Sequence, residues 1–577
     1  MKNSIGFFLL FISWLMPLHF LPWVTWHGEM VAFAAGIMLL FPLIDATSIH
    51  IPKSTFIFLI LIVIALLQTA AGYSNQRSDA FLIIAYLMLC IVVLARGAHD
   101  GSYIVDQSTK NHNPLEIAAW AITGGALISA FLAFLQVLEV WEDLSFVTRM
   151  PIPRRAGGNL AQPNHLGSLL LLGLGSLIYL RECQRIAFST LIACSAIIYL
   201  AAAATESRTA LLGVFIFGIW SLVGNYKKII SISKSTTISL TLAAAFLFFL
   251  WPSIMVAISL FPSDASLNAQ KGMRPIVWSQ LISAILEKPW LGWGLKQVSS
   301  AHNSVADIFN ISEPFSYAHN IVLELAIGIG IPLTLMLCAL TAAWLVKKIK
   351  TINSIHEWYC IQILLVLGLH SMLEFPYAYA YFLIPAMYAI GTLDGLHKNT
   401  KIIVTAKYTI PCALSIFGAL YLWSIPQYLS KENDFRIARF HALRISVALS
   451  DNTPANFTLF KQLADLNSST SLKISKEIKE ADINRLQKTA MQFPWPATQS
   501  RYALALALSG NSAEASRQLQ IIRAMHGEKT FQSIATSWKL LAVEELPELQ
   551  NIQYLEKPSC IYWPCHAQGI HTTSALP

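Results

Sequence analysis

The chain has 577 residues, of which 55% are hydrophobic and only 12% are charged, and its formal net charge is +8. A soluble globular protein carries roughly 25% charged residues, so lipid must be the solvent for most of this chain. The composition excludes an ordinary soluble enzyme. The basic balance indicates membrane orientation rather than nucleic-acid binding, because the lysines and arginines flank the apolar segments.

Apolar windows recur along the chain, and each is near the ~20 residues that cross ~30 Å of hydrocarbon as a helix. Thirteen windows are present, near residues 5–22, 28–46, 55–72, 80–95, 116–138, 166–180, 186–203, 209–224, 237–261, 320–345, 357–373, 377–396 and 408–426. The sequence therefore predicts an all-α, polytopic helical membrane protein. We expect the first window to be a retained helix, since Pro17–Phe20 is not a small-residue cleavage site.

The lysines and arginines predict the orientation of these helices. With a cytoplasmic N-terminus, 15 of the 24 that precede residue 427 fall in inner loops, most of which are short, as the positive-inside rule requires. An odd number of spans then places the tail outside. We divide the chain into a transmembrane domain, 1–426, and a helical C-terminal domain, 427–577. Two long outer loops, 139–165 and 262–318, interrupt the helices, and loops of this length are uncommon without a function.

The tail has its own helical pattern. A small-residue helix over 501–509 is followed by a Gly510-Asn511 break and a second helix that Ser512 is expected to cap. This pattern resembles one tetratricopeptide-like hairpin, although an ordinary helical hairpin would have the same pattern, and either suits a docking surface. Cys560 and Cys565 also lie in the tail, where an oxidising compartment would permit a disulfide between them.

His319 and Asn320 stand where the second outer loop meets an apolar run. Histidine titrates near neutrality, so His319 is a candidate to take a proton from a hydroxyl. A lone histidine in this place is more often a helix cap or an interfacial residue. Asn320 and Glu324 strengthen the catalytic interpretation, because they could orient the imidazole from the next position and from one turn on.

Two arginines lie on the same predicted side as His319. Arg208 follows a very short outer turn, and Arg274 opens a segment with Trp278 four residues later. Guanidinium groups bind phosphate oxygens in a fork, so one imidazole and two arginines suit displacement of a diphosphate. The alternatives are a salt bridge from Arg208 to Glu206 or an interfacial arginine. The outer segments show no carboxylate-rich cage, so we expect no metal requirement.

These segments resemble a known superfamily. The run from Arg208 through Arg274–Trp278 and Leu291–Gly294 to His319-Asn320 resembles the O-antigen ligase/polymerase superfamily. The first-loop segment Gly158–His165 is similar to the signature of PglL-type bacterial protein O-oligosaccharyltransferases. The segment His370–Tyr377, with Tyr379–Phe382 after it, is similar to them as well. The resemblance covers roughly residues 150–400.

The resemblance implies an activity, a location and site residues. Such enzymes of the bacterial inner membrane transfer a preassembled glycan from undecaprenyl diphosphate to Ser or Thr of an exported protein, often a pilin, on the periplasmic side. They need no cofactor. The family's essential histidine falls on His319, and its phosphate-contacting arginines fall on Arg208 and Arg274. The residues expected to line the substrate site are Gln162, Asn164, His165, Asn320, His370 and Glu374.

Three points stay open. His370 and Glu374 are either a second acid–base pair or a buried structural pair. The acceptor could instead be lipid A core or a growing glycan, as in a ligase or a polymerase. A lipid or polysaccharide transporter without chemistry is the third reading. Transporters usually place ionisable residues in mid-helix, whereas the polar residues here cluster at outer helix ends.

Overall fold

A computed structural model of the chain describes residues 2–73, 77–106, 113–140, 144–150, 154–258, 260, 272–397, 400–442, 459–556 and 558. Helices dominate these residues. The helices before the second outer loop are α1 (Lys2–Trp14), α2 (Trp26–Met38), α3 (Thr55–Ala70), α4 (Arg77–Asp106), α5 (Pro114–Val137), α6 (Pro163–Glu182), α7 (Phe188–Ala204), α8 (Arg208–Tyr226) and α9 (Lys234–Ala257). The helices from that loop onward are α10 (Arg274–Glu287), α11 (Val298–Val305), α12 (Ile321–Ile329), α13 (Ile331–Thr351), α14 (Ile355–Leu373), α15 (Ala380–Leu396), α16 (Ala406–Ala442), α17 (Lys461–Ser471), α18 (Glu480–Gln492), α19 (Pro496–Leu508) and α20 (Ser512–Glu544).

Many of these helices have the length and composition of membrane spans. The described part of the chain has 8 helices that are long and apolar enough to cross a bilayer. Helices α1, α3, α7 and α15 are also apolar but shorter. The polytopic helical architecture is therefore confirmed. The count of thirteen stays a prediction: α1 covers 13 residues, about 20 Å at ~1.5 Å per residue, and is shorter than its window.

The described residues form two compact units. The first comprises Met1–Ile62, Ile84–Ala269 and Leu340–Glu432, and the second comprises Val63–Ile83, Gln270–Ala339 and Asn433–Pro577. The predicted division at residue 426 stays a prediction. In the second unit, the described part of the outer loop and the tail belong to one packed body.

Helix α6 is the centre of the first unit. It packs against α5, α7, α8 and α14, and its residues from Pro163 to Leu180 are all buried. Small residues permit this, because a Cβ added at Gly167 would lie 2.6 Å from the Cβ of Ala210 on α8. Close backbone approach of this kind is typical of helices packed in membranes. It fixes the start of α6 beside the start of α8.

The first unit also contains an element that the all-α prediction did not include. Strands β1 (Ser48–Pro52) and β2 (Thr400–Thr405) pair in antiparallel fashion, with Ile49 opposite Val404. Each strand lies next to a helix start, at α3 and at α16. The sequence-based prediction had assigned both of these short segments to inner loops.

The second unit organises the outer loop around a small apolar core. The predicted loop 262–318 contains α10 and α11 within its described part, 272–318. Residues Val277, Leu281, Val298, Phe309 and Ala326 are among those that close the core between α10, α11 and α12. This segment is a folded subdomain, which the absence of an apolar window had concealed.

The tail forms a helical hairpin as predicted. Helices α19 and α20 pack on each other through residues such as Tyr502, Leu506 and Leu519. The capping prediction was wrong: the side chain of Asn511, not Ser512, accepts from the Glu514 N–H at the start of α20. Helix α20 bends at Gly527, whose φ is 82°. The tetratricopeptide-like assignment stays a prediction, and Cys560 and Cys565 lie outside the described residues.

Candidate functional site

The backbone of His319 has an uncommon conformation. Its φ is 52°, in the left-handed region that residues with a side chain rarely occupy. Residues held there cost of order 1–3 kcal/mol and concentrate at functional sites, where the surrounding structure must impose the conformation. The imidazole is half-buried, and its ring centre lies 4.6 Å from that of Phe315.

Contacts on both sides of His319 impose this conformation. The Ala318 N–H donates to Glu324 Oε2 at 2.8 Å, and Trp278 Nε1 donates to the Ala318 carbonyl at 2.8 Å. The Asn320 side chain then caps α12, accepting from Val322 N–H and from the next residue. The expectation that Asn320 and Glu324 orient the imidazole has a structural basis, because both fix the backbone that carries it.

Arg274 is the first residue of α10 and is half-buried. Trp278, which holds Ala318, lies one turn further along the same helix. Helix α10 thus carries Arg274 at its start and, one turn later, contacts the residue before His319. The hydrogen bond to the Ala318 carbonyl gives Trp278 a structural role.

A buried polar cluster stabilises the interior of the same loop. His302 Nε2 lies 2.7 Å from Gln280 Oε1, and Ser312 Oγ donates to the same oxygen at 2.7 Å. Gln280 Nε2 also donates to the Ile311 carbonyl. Burial lowers the pKa of His302 to about 4, so this imidazole is neutral at physiological pH. The sequence analysis did not single out this cluster, because its three members are far apart in the chain.

In the first unit, the predicted first-loop residues gather at the start of α6. Gln162 is the N-cap residue, and its side chain accepts from the His165 N–H at 2.8 Å. His165 is buried, and its Nδ1 lies 3.2 Å from the hydroxyl of Tyr381. The Gln-Pro-Asn-His sequence is thus a helix start, with Pro163 at the first helical position, where its missing N–H costs nothing.

A buried hydrogen-bond chain links three helices of the first unit. Asn164 Nδ2 donates to Glu374 Oε1 at 2.5 Å, and Ser207 Oγ donates to Asn164 Oδ1 at 2.6 Å. Glu374 is only 1% exposed, and its backbone ends α14. Ser207 caps α8, since its side chain accepts from the Ala210 N–H. A buried carboxylate is therefore connected, through Asn164, to the residue before Arg208.

His165 and His370 meet edge to face, with ring centres 5.4 Å apart. His370 is fully buried, and its Nδ1 lies 2.8 Å from Ser168 Oγ. Tyr379 covers His165 on another side, at 4.6 Å between ring centres. His370 and Glu374 have hydrogen-bond partners on α6, so the choice between an acid–base pair and a structural pair stays open.

Arg208 is the first residue of α8, and its side chain is exposed. The alternative of a salt bridge to Glu206 receives no support from the described contacts, since Glu206 Oε1 lies 3.6 Å from Arg154. Burial raises the pKa of the Glu206 carboxyl, and Arg154 and Arg155 oppose this shift. Arg155 also donates to the Thr205 carbonyl, so the first outer loop packs on the turn that precedes Arg208.

The predicted site residues thus fall into two groups. The first unit holds Gln162, Asn164, His165, Arg208, His370 and Glu374, and the second holds Arg274, His319 and Asn320. Their action on one substrate stays a prediction. The residues missed from the sequence are Ser168, Ser207 and Tyr381. Ser168 lies three positions after His165, on the same helix face, which is the signal that could have found it.

The site contains no obvious metal ligand set. Over the described ranges, no group of three or more His, Cys, Asp or Glu side chains could hold a metal ion. Independence from metals stays a prediction.

Comparison with known proteins gives two family matches and two long alignments. Residues 190–338 match the family described as O-Antigen ligase, and residues 358–540 match the C-terminal region described as "Virulence factor membrane-bound polymerase". The chain is 25% identical over 539 residues to the General O-oligosaccharyltransferase of Acinetobacter baylyi, covering 90% of this chain and 91% of that protein.

A second protein of the same organism, the ComP-specific O-oligosaccharyltransferase, is 25% identical over 429 residues, covering 72% of this chain and 76% of its own length. The O-Antigen ligase match includes Arg208, Arg274 and His319, and the other match includes His370, Glu374 and part of the tail. The resemblance predicted from the sequence is confirmed.

Proposed function

Since the chain is a glycosyltransferase related to the O-antigen ligases and the O-oligosaccharyltransferases, we propose that it transfers a preassembled oligosaccharide en bloc from undecaprenyl diphosphate to Ser or Thr of an exported protein such as a type IV pilin. The location that goes with this activity is the bacterial inner membrane, with the site and the tail on the periplasmic side. The observation that carries the proposal is the strained, doubly held His319 within a chain related to such enzymes over 90% of its length.

His319 is the proposed general base. Its imidazole takes the proton of the acceptor hydroxyl as the hydroxyl oxygen bonds to the anomeric carbon of the glycan. The bond from that carbon to the diphosphate oxygen breaks, and undecaprenyl diphosphate leaves with the electron pair. The contacts of Ala318 with Trp278 and Glu324 support this role, because they fix the base before substrate arrives.

Arg208 and Arg274 are the proposed ligands of the leaving diphosphate. Each stands at the first residue of a helix, α8 or α10, where the backbone N–H groups and the helix dipole also favour an anion. A guanidinium at such a position adds bidentate hydrogen bonds to the attraction that the helix N-terminus already has for an anion. The charge that develops on the diphosphate as the glycosidic bond breaks is what these groups stabilise.

The buried cluster of the first unit is the proposed support of Arg208. Glu374, through Asn164, holds Ser207, which caps the helix that Arg208 begins. Gln162 and His165 fix the start of α6 in the same cluster. Because these groups are buried, we assign them a positioning role toward the substrate-lining surface.

A protein acceptor is favoured over lipid A core or a growing glycan. The long alignment with a protein-modifying relative includes most of the tail, and the tail packs as a folded helical body. The alternative acceptors, lipid A core and a growing glycan, are suggested by the family descriptions, which name an O-Antigen ligase and a membrane-bound polymerase. A transporter is disfavoured because both long alignments are with O-oligosaccharyltransferases.

The first prediction concerns His319. In cells that make a lipid-linked glycan and a candidate pilin, we expect His319→Ala to abolish the mass added to intact pilin, because the variant lacks the proposed base. His526→Ala is the matched control, since this tail histidine contacts Gln499 and has no proposed role in catalysis. Pilin that carries the glycan in the presence of His319→Ala would refute the role of His319. Glycan found on lipopolysaccharide but not on pilin would favour the ligase.

A further inference from the structure

The tail and the loop that carries His319 are joined by a charged clamp in the second unit. Arg517, on α20, donates from Nε to Asp307 Oδ2 at 3.0 Å and from Nη2 to Asp307 Oδ1 at 2.8 Å. The same Nη2 donates to the Ser304 carbonyl at 2.7 Å. Such a bidentate fork has a defined geometry, which a single charge contact lacks.

A second set of contacts lies beside the clamp. The Ser312 N–H donates to the Ala524 carbonyl at 2.9 Å, and Ala306 packs with Ile521 and Met525 in a small buried cluster. Two backbone segments of the loop are thus fixed to successive turns of α20.

From this contact, described hydrogen bonds lead step by step to His319. Ser312, held by Ala524, donates to Gln280 Oε1, and Gln280 lies on α10. Trp278, two residues earlier on α10, donates to the carbonyl of Ala318, the residue before His319. Each step is a packed or hydrogen-bonded contact, so a shift of α20 would change the position of α10 and of the His319 backbone.

We propose that the C-terminal tail positions the base: the Arg517–Asp307 pair and the Ser312–Ala524 hydrogen bond fix the loop on α20, and through α10 they hold His319 in its strained backbone conformation. Arg517 is a positioning residue and does not touch substrate. The proposal rests on the proposed function of His319. It assigns the tail a part in the rate of transfer, in addition to any part in docking an acceptor.

The test compares kcat and KM in a purified transfer assay that uses a synthetic lipid-linked glycan and an acceptor pilin. We expect Arg517→Ala and Asp307→Ala to lower kcat by ~10-fold each, because misplacing a catalytic group is costly and residues in direct contact are coupled. KM for the pilin should change little. The double variant R517D/D307R, which restores the pair in reverse, should recover much of the loss.

Arg523→Ala is the matched control. Arg523 lies on the same helix but contacts Glu528 and Phe531, within the tail itself. Hydrogen–deuterium exchange of residues 304–319 supplies a readout that does not depend on activity. We expect faster exchange there in Arg517→Ala than in Arg523→Ala. If Arg517→Ala is poorly expressed, Arg517→Lys, which keeps the charge but loses the fork, should show the same kcat effect in weaker form.

The outcomes separate the two proposals. An active His319→Ala would overturn the proposed function. An inactive His319→Ala together with an Arg517→Ala that has wild-type kcat and wild-type exchange would overturn the positioning role alone. A rise in pilin KM with unchanged kcat would also overturn it, since the tail would then act by binding the acceptor.

Discussion

At the scale of single residues, the backbone conformation of His319 depends on the hydrogen bonds of its two neighbours, Ala318 and Asn320. His319 was predicted from its place before an apolar run, and the structure adds the φ of 52° and the Trp278 and Glu324 contacts that maintain it. The Trp278 contact could not be predicted, because a hydrogen bond to a carbonyl 40 residues away has no local sequence signal. In the same way Ser207 was visible only as the neighbour of Arg208.

The second prediction belongs to this scale and concerns the arginines. We expect Arg208→Lys and Arg274→Lys each to lower turnover by ~10-fold or more, because an ammonium cannot make the fork and oxyanion ligands are worth 10²–10³ in kcat. The measurement is the rate of pilin glycosylation at saturating donor. Arg185→Lys is the control, since Arg185 pairs with Glu116 at the opposite, predicted inner end. Near-normal turnover in both arginine variants would remove the diphosphate assignment.

At the scale of elements, the apolar windows predicted helices well but not where they break. The window 320–345 contains two helices, α12 and α13, that part at Gly330. Its φ is 80°, and a Cβ there would lie 2.1 Å from the Trp290 carbonyl oxygen. The helix therefore breaks where the backbone of Trp290 packs against Gly330. A hydropathy profile contains no information about this contact. Likewise α16 continues to Ala442, well past its window.

The third prediction concerns the stability of the loop helices α10 and α11 against acid. His302 has a pKa of about 4 when folded and near 6.5 when unfolded. Between these values the unfolded loop binds a proton that the folded loop does not, so stability falls as pH is lowered from about 6.5 to 4. The loss is at most ~3 kcal/mol, at ~1.4 kcal/mol per unit of pKa. Above pH 6.5 no dependence from His302 is expected.

Hydrogen–deuterium exchange of residues 298–312 in detergent, at pH 7 and pH 5 after correction for the intrinsic rate, would measure this effect. His302→Gln keeps a hydrogen-bond donor for Gln280 but does not titrate, so its protection should depend less on pH. An equal pH dependence in wild type and His302→Gln would show that another group is responsible.

At the scale of the whole molecule, contacts within the first unit agree with the predicted alternation of helix ends. Lys2 pairs with Asp45, and Arg185 with Glu116, both at 2.7 Å. In each pair, two predicted membrane-spanning helices lie between the partners along the chain. Both partners therefore belong to helix ends that were predicted on the inner side. The sequence could predict this alternation because charge bias and hydropathy are properties of short segments. It could not predict the tail–loop packing, since Arg517 and Asp307 are 210 positions apart.

The last prediction concerns the side on which the tail lies. The Trp23 N–H donates to the hydroxyl of Tyr428 at 3.2 Å, and the rings of Trp26 and Tyr428 stack at 4.1 Å. Residue 428 therefore lies at the same level as residue 23, which follows the first predicted crossing, whatever the number of crossings between them. With a cytoplasmic N-terminus, we therefore predict that the tail leaves on the periplasmic face. We expect alkaline phosphatase fused after residue 556 to be active and green fluorescent protein fused there to be dark, with the reverse for fusions after Lys227. A fluorescent fusion after residue 556 would contradict both the odd number of spans and a periplasmic role for the clamp between Arg517 and Asp307.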